Sequence, residues 1–273
     1  MIIVPGRDDR AFYKYLVLKV FNMNHEGVRV FDNKFRKDVI NYVFKGSNPE
    51  LRGIIVLTVA NGNDGCAHVI IIPSSEDVRK RMHLILEYLA GMSPDELSQR
   101  KIDYVIVAED AEEKGFDAAL QSLEDSLYSR SNTIGVAIEN DREGGKYYRL
   151  YRLAKAAGVK LLLVVQGLEH ASSSLADMGG LHKHAIEDYL LFLLDDVLTE
   201  LVQGHRSLVE RILGDGNAHK KLALMAMVYN CGVSVENALR DIGRERFLKL
   251  VKKSDGLRAV VDAIGETAGY TPL

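Results

Sequence analysis

Apolar positions in this chain follow two rhythms: short runs with few polar breaks, and longer stretches with apolar residues three and four apart. Ile2-Ile3-Val4 opens the chain as a short buried strand. Pro5-Gly6 turns it, and Asp8 or Asp9 can cap a helix over residues 9–22. Phe12, Tyr13, Leu16, Val17 and Val20 share one face of that helix. Tyr15 and Leu18 fall off the face, so the helix is either buried on two sides or irregular. Val28-Arg29-Val30-Phe31 alternates as a short strand. Residues 54–59 and 68–72 are β-rich, and the turn dipeptides within Asn61-Gly62-Asn63-Asp64-Gly65 predict a β-hairpin between them. Ser74 and Ser75 precede a helix that runs to about Leu89 and ends at Gly91. Ser93-Pro94-Asp95-Glu96 begins a further short helix.

From residue 102 the pattern is strand, helix, strand, helix, strand. The strands fall at 103–108, 134–139 and 159–165, and the helices at 114–128 and 145–157, the second stopped by Gly158. Near-continuous apolar strands alternating with helices predict a mainly parallel sheet sandwiched by helices, an α/β fold of Rossmannoid type. Residues 168–182 are rich in Ser and Gly and predict a loop suited to act as a lid. The pattern from His184 to about Gly265 is helical almost throughout. The expected organisation is therefore an α/β core over 1–167, carrying the hairpin near 54–72 as an insertion, and a loop with a helical extension over 168–273.

Composition narrows the function classes. Of 273 residues, 47% are hydrophobic, enough for a sizeable core. The balance of 35 Lys+Arg against 38 Asp+Glu leaves a formal charge of -3, so a general basic coat for nucleic acid is excluded and any such contact needs a local patch. Cys66 and Cys231 follow no metal or disulfide spacing, which favours a cytoplasmic protein over a secreted disulfide scaffold. No signal-type or membrane-spanning run is evident, so no membrane partner is expected.

Candidate chemistry lies in two acidic clusters, each following an apolar run. The first is Glu109-Asp110-Ala111-Glu112-Glu113 and the second Glu139-Asn140-Asp141-Arg142-Glu143. Acids just past a buried strand sit where open α/β sheets bind ligands, and a pair at i and i+2 can share one divalent cation. The plain alternative is that they cap helix starts and favour the macrodipole. Gly144-Gly145 is either a phosphate approach or a tight turn. The basic-aromatic run from Lys146 to Arg152 is either a single-strand-binding surface or an amphipathic helix. His182 and His184, with His170, lack the further ligand a zinc site needs.

The opening Ile2-Ile3-Val4-Pro5-Gly6-Arg7-Asp8-Asp9-Arg10-Ala11-Phe12 resembles the first strand and turn of Toprim domains, the metal-binding α/β modules of primases, type IA topoisomerases and related nucleases. Val107-Ala108-Glu109-Asp110-Ala111-Glu112 is similar to the strand-end Asp-x-Asp motif of that family, here Asp110-x-Glu112. Glu139-Asn140-Asp141-Arg142-Glu143-Gly144 resembles the topoisomerase form of the same motif and is a rival. Lys183 to Leu190 is similar to a Glu-Asp-Tyr-Leu segment of archaeal Toprim-like proteins. The family's first-strand glutamate is replaced by Pro5, which can neither bind metal nor move a proton.

The resemblance implies Mg²⁺ (or Mn²⁺) held by Asp110, Glu112 and Glu109, or at the rival cluster Glu139 and Asp141. It implies acid/base help from Asp8 or Asp9 and phosphate contacts from Arg7, Arg10 or Lys114. The expected function is a nuclease or nucleotidyl-transfer activity on nucleic-acid phosphodiesters, with nucleic acid or a nucleotide as partner and self-association into a homo-oligomer to be tested. The alternative is a non-catalytic nucleotide- or protein-binding module on the same fold. A small-molecule enzyme on a flavodoxin-like or Rossmann-like sheet is disfavoured because no Gly-x-Gly-x-x-Gly follows the first strand.

Overall fold

A computed structural model describes residues 1–23, 54–60, 66–74, 77–93, 95–97, 102–112, 114–134, 138–153, 158–169, 175, 185–215, 218–229 and 234–270. Its centre is a seven-stranded sheet of order β2-β3-β1-β4-β7-β6-β5. The strands are β1 (Ile2–Val4), β2 (Ile55–Ala60), β3 (Cys66–Pro73), β4 (Tyr104–Asp110), β5 (Ile138–Gly144), β6 (Tyr148–Leu153) and β7 (Lys160–Gln166). Strands β3, β1, β4 and β7 run parallel; β2 pairs antiparallel with β3, and β6 with both β7 and β5. The sheet is therefore mixed, and the mainly parallel sheet expected from the strand-helix rhythm is corrected to a parallel centre with antiparallel flanks. The hairpin expected near 54–72 is present as β2-β3; its turn, the 28–31 strand and the three loop histidines lie outside the described residues.

The second correction concerns 134–157. The helix after β4 continues to Ile134, the strand expected over 134–139 is β5 at Ile138–Gly144, and within the helix expected over 145–157 residues Tyr148–Leu153 form strand β6, with 154–157 outside the described residues. Tyr148 and Leu150 pack into the core on one side of the sheet, while Tyr151 and Leu153 belong to the core on the other. A strand covered on both faces shows no clean alternation, and its basic residues imitate a helical stripe. Gly144-Gly145 is the tight turn of this hairpin: a Cβ on Gly144 would lie 2.6 Å from the Tyr148 carbonyl oxygen, and the Gly145 amide donates to that oxygen at 3.1 Å.

Period-two alternation sends side chains to two cores. From β1 and β4, Ile2, Val4, Ile106 and Ala108 face one, and Ile3, Val105 and Val107 face the other. Helices α2 (Val78–Ala90) and α3 (Phe116–Ile134) cover the second face. Asp77 caps α2, its Oδ1 accepting the Arg79 amide at 2.8 Å. Helix α1 (Arg7–Val20) covers the first face and is buried on most sides, which explains why Tyr15 and Leu18 break the single-face pattern.

The C-terminal helices lie on the same face as α1. They are α4 (Ile186–Leu193), α5 (Asp195–Leu213), α6 (Ala218–Tyr229), α7 (Val235–Arg240), α8 (Arg244–Lys253) and α9 (Asp255–Ala268). Leu190, Leu250, Val260 and Val261 join Ile2, Leu16 and Val164 in one continuous cluster, so the helical extension and the sheet share a core. Phe12 of α1, fully buried, stacks on Tyr189 of α4 with ring centroids 5.1 Å apart and lies 6.3 Å from Phe247 of α8. No helix among the described residues is long and apolar enough to cross a membrane. Phe12→Ala is expected to cost about 3–5 kcal/mol. Urea denaturation followed by circular dichroism and tyrosine fluorescence should show that loss within a single transition; two separated transitions would mean the C-terminal helices fold as a unit apart from the sheet.

Candidate functional site at the ends of β1, β4 and β7

Strands β1 and β4 are neighbours, yet the helices that follow them, α1 and α3, leave to opposite faces of the sheet. Such a switch opens a crevice beyond the strand ends, the usual ligand position in open α/β sheets. The turn from β1 brings Gly6 to Asp9 to this crevice, and the end of β4 brings Asp110 and Glu112. The β4-β7 register sets Asp110 opposite Gln166.

One amide joins the two aspartates. Gln166 Nε2 donates to Asp9 Oδ1 at 2.9 Å and to Asp110 Oδ1 at 3.1 Å. Gln166 is wholly buried, and its Oε1 has no hydrogen-bond partner. A buried acceptor left unpaired costs about 1–3 kcal/mol. The second oxygen of Asp9 accepts the Gly6 amide at 3.0 Å, closing the first turn of α1 from within rather than from the cap position. The Asp110 carboxylate also accepts the Ile186 amide at the start of α4, where Ala185 offers no side-chain cap. Gly167, at φ 125°, bends the chain directly after Gln166, and the next amide, Leu168, donates to the buried Asp188 Oδ2 at 3.0 Å. That bond fixes the first turn of α4 beside the end of β7.

These elements enclose a hollow of about 220 Å³. Among the described residues, Asp8, Asp9, Asp110, Glu112 and Glu187 line it with Arg7 and Lys220. The N-termini of α1 and α4 both open on it, which favours negative charge there. Burial pushes the Asp9 carboxyl above its ordinary range, partly offset by the Gln166 amide. Asp110 is pushed well up by burial and then by the charges of Asp9 and Glu187. Burial raises Glu187 too, with Lys220 opposing. Glu112 is exposed at the rim and sits at φ 47°, a left-handed backbone that costs a non-glycine residue about 1–3 kcal/mol and is concentrated at functional sites.

The other sequence-derived candidates take different places. Glu109 points to the opposite face from Asp110 and is gripped by Arg79, with Nη2 to Oε1 at 2.5 Å and Nε to Oε2 at 3.2 Å. It lines a second hollow of about 230 Å³ with Asp77, Pro5 and Lys114, and Asp110 and Glu112 line that hollow as well as the first, so the two hollows meet at the end of β4. Arg10 lies toward Glu236 of α7. The rival pair is remote: Glu139 is in register with Arg152, Arg152 with Lys160, and Lys160 with Tyr104, the end of β4 away from Asp110. At about 3.3 Å per residue this is some 20 Å along the strands, with Glu139 on an outer strand. Two residues of the hollow, Glu187 and Lys220, and the buried Gln166 behind it had no site role in the sequence reading, though Glu187 stands in the segment likened to Glu-Asp-Tyr-Leu. Gln166 is a neutral amide with no motif around it, while Glu187 and Lys220 reach the site only through the packing of α4 and α6.

Hard oxygen donors suit Mg²⁺, Mn²⁺ or Ca²⁺. No group of three or more His, Cys, Asp or Glu among the described residues is gathered closely enough to hold a metal. Asp8, Asp9, Asp110, Glu112 and Glu187 nevertheless bring carboxylate oxygens, the donor class such cations take, to one hollow. No protein-family model, curated protein or solved structure matches the chain.

The raised carboxyls have a stability consequence. In the folded protein they keep protons to higher pH than in the unfolded chain, where such groups titrate near about pH 4. Between those values the folded state binds more protons, so their contribution to stability falls as pH rises and is lowest above the folded range. Asp110→Asn keeps an acceptor for Gln166 and Ile186 but removes one charge. In metal-free buffer it should raise the melting temperature near neutral pH, by about 2–4 °C per kcal/mol recovered, with the gain shrinking toward about pH 4. Scanning calorimetry across that range checks it; a variant less stable than wild type at neutral pH contradicts the crowding argument.

Proposed function

We propose that the hollow binds a divalent cation, Mg²⁺ or Mn²⁺, and through it the phosphate of a nucleotide or nucleic acid, and that the chemistry is phosphodiester cleavage or nucleotidyl transfer of the Toprim-like kind. The observation that carries this reading is the pair of carboxylates, Asp9 and Asp110, held on either side of one buried amide at a topological switch point. Among the described residues five acids face two cations and repel a phosphate, which a cation bound first would offset. Once the acids are neutralised, the α1 and α4 N-termini, Arg7 and Lys220 become attractive to it. A bound cation would supply charge neutralisation for the developing phosphorane oxygens and orient the attacking group.

Within this reading Asp9 and Asp110 hold the cation, and Asp9 takes the place that Pro5 leaves without a carboxylate. Glu112 and Glu187 orient water around it from the rim. Asp8, exposed in the first turn of α1, is the acid/base group, since it lines the hollow without being buried. Glu109 is left with a structural part through Arg79. The second reading, a non-catalytic module, is favoured by Pro5 at the end of β1 and by the hydrogen bonds that occupy both oxygens of Asp9.

Calorimetry with Mn²⁺ or Mg²⁺ should give one site on the wild type. Asp110→Ala should weaken it by more than the roughly 10–100-fold that outer-shell changes cost, while Glu109→Gln leaves it unchanged. Equal binding after Asp110→Ala sinks the metal assignment. In parallel, Mn²⁺-dependent turnover in a panel of nuclease and nucleotidyl-transfer substrates, lost in Asp8→Asn, supports the enzyme; cation binding with no turnover in the panel supports the module.

A further inference from the structure

Exposed apolar side chains scattered singly need no explanation, but a cluster of them marks a contact. Among the described residues six large hydrophobic side chains are exposed, and four of them, Leu208, Leu224, Val228 and Tyr229, belong to α5 and α6, which follow each other in the chain and pack together. On α6 the inner side, Leu222, Ala223, Ala226 and Met227, is buried in the main core. Leu224 and Val228, one turn apart, stand on the other side at 54% and 57% exposure. Lys221 heads the same outer stripe. The charges of α6 oppose its own dipole. Lys220 and Lys221 stand in its first turn, no acid does, and its last turn has no basic residue. Lys221 meets the Asp215 carboxylate at 2.5 Å, an exposed pair that is weak in water.

We propose that the outer face of α6 docks a second copy of this chain, the two α6 helices packing antiparallel about a two-fold axis. Charge and spacing both select this occupant. In an antiparallel pair the first turn of each helix, with Lys221 on the contact stripe, lies toward the last turn of the other, whose free carbonyls no basic residue of α6 serves. A parallel pair sets the two basic turns together and repels itself. The stripe is also self-complementary. An axis level with the midpoint between Leu224 and Val228 sets Leu224 of each copy against Val228 of the other, as an isologous contact requires. Leu208 of α5 and Tyr229 extend the apolar area at its edges. A contact of this kind falls at the small end of specific interfaces, below about 1,200 Å², so a weak dimer with dissociation in the micromolar range is expected. Leu224 and Val228 do not line the acidic hollow, so this inference stands apart from the metal reading.

Analytical ultracentrifugation of the full chain over about 1–300 µM should show a monomer–dimer equilibrium. Leu224→Glu and Val228→Lys, each alone, should weaken the dimer at least about tenfold. An equimolar mixture of the two variants should dimerise more tightly than either does by itself. In the mixed pair the new glutamate meets the new lysine at one contact, and the native Leu224–Val228 contact survives at the other. A parallel pair gives no such rescue, because position 224 then faces 224 and 228 faces 228. A wild type that stays monomeric throughout overturns the proposal, whether the face is bare in solution or serves a different protein. A dimer that both single variants leave intact overturns it too, since the contact then lies elsewhere. Weakened single variants with no rescue on mixing overturn the antiparallel arrangement. Both substituted positions are exposed, so the variants should melt with the wild type. If one melts lower, the wild-type methyl resonances of Leu224 and Val228 decide: signals unmoved between monomeric and dimeric concentrations overturn the proposal.

Discussion

Two aspartates are pressed toward each other at the top of this sheet, and a single carboxamide keeps them from closer repulsion. Everything in the candidate site follows from that arrangement. Like charges in a partly desolvated crevice interact far more strongly than in water, so each raises the proton affinity of the other. The fold holds them there through rigid parts. Asp9 is fixed by the first turn of α1, Asp110 by the last residue of β4, and Gln166 by the last residue of β7. None of the three can retreat without unmaking a strand end or a helix start.

The C-terminal helices complete the site rather than append to it. Phe12 stacked on Tyr189 clamps α1 to α4, and the α4 N-terminus then meets Asp110 from the side opposite the sheet. Lys220, on α6, adds a cation to a rim otherwise dominated by acids. A hydrophobic core continuous from the sheet to α9 thus does two things at once: it supplies the stability of the domain and fixes the charges that lower that stability locally. Concentrating acids and a left-handed Glu112 in one place is a stability cost that proteins tolerate where function requires it.

The central strands were legible because burial on both faces writes them as unbroken apolar runs, as in Tyr104 to Ala108 and Leu161 to Val165. Strand β6 was not, because Tyr148, Leu150, Tyr151 and Leu153 serve two cores and mimic helical spacing. Asp9 and Asp110 stood out as acids just beyond strands. Strand parity also carried information the motif alone did not: Glu109 continues the face of Val105 and Val107, and Asp110 that of Ile106 and Ala108. Gln166 was illegible, since its part comes from register with Asp110 and not from its own neighbours in sequence. Glu187 and Lys220 were hidden for a related reason, their proximity being a product of helix packing across more than 70 residues of chain.

Whether a cation binds at the carboxylates of Asp9 and Asp110 decides what this site does. Crystals soaked in Mn²⁺ and measured at a wavelength where manganese scatters anomalously give the most direct answer. One strong anomalous peak beside the two carboxylates is expected. A peak at Glu139 and Asp141, or none on the protein at saturating Mn²⁺, would contradict it.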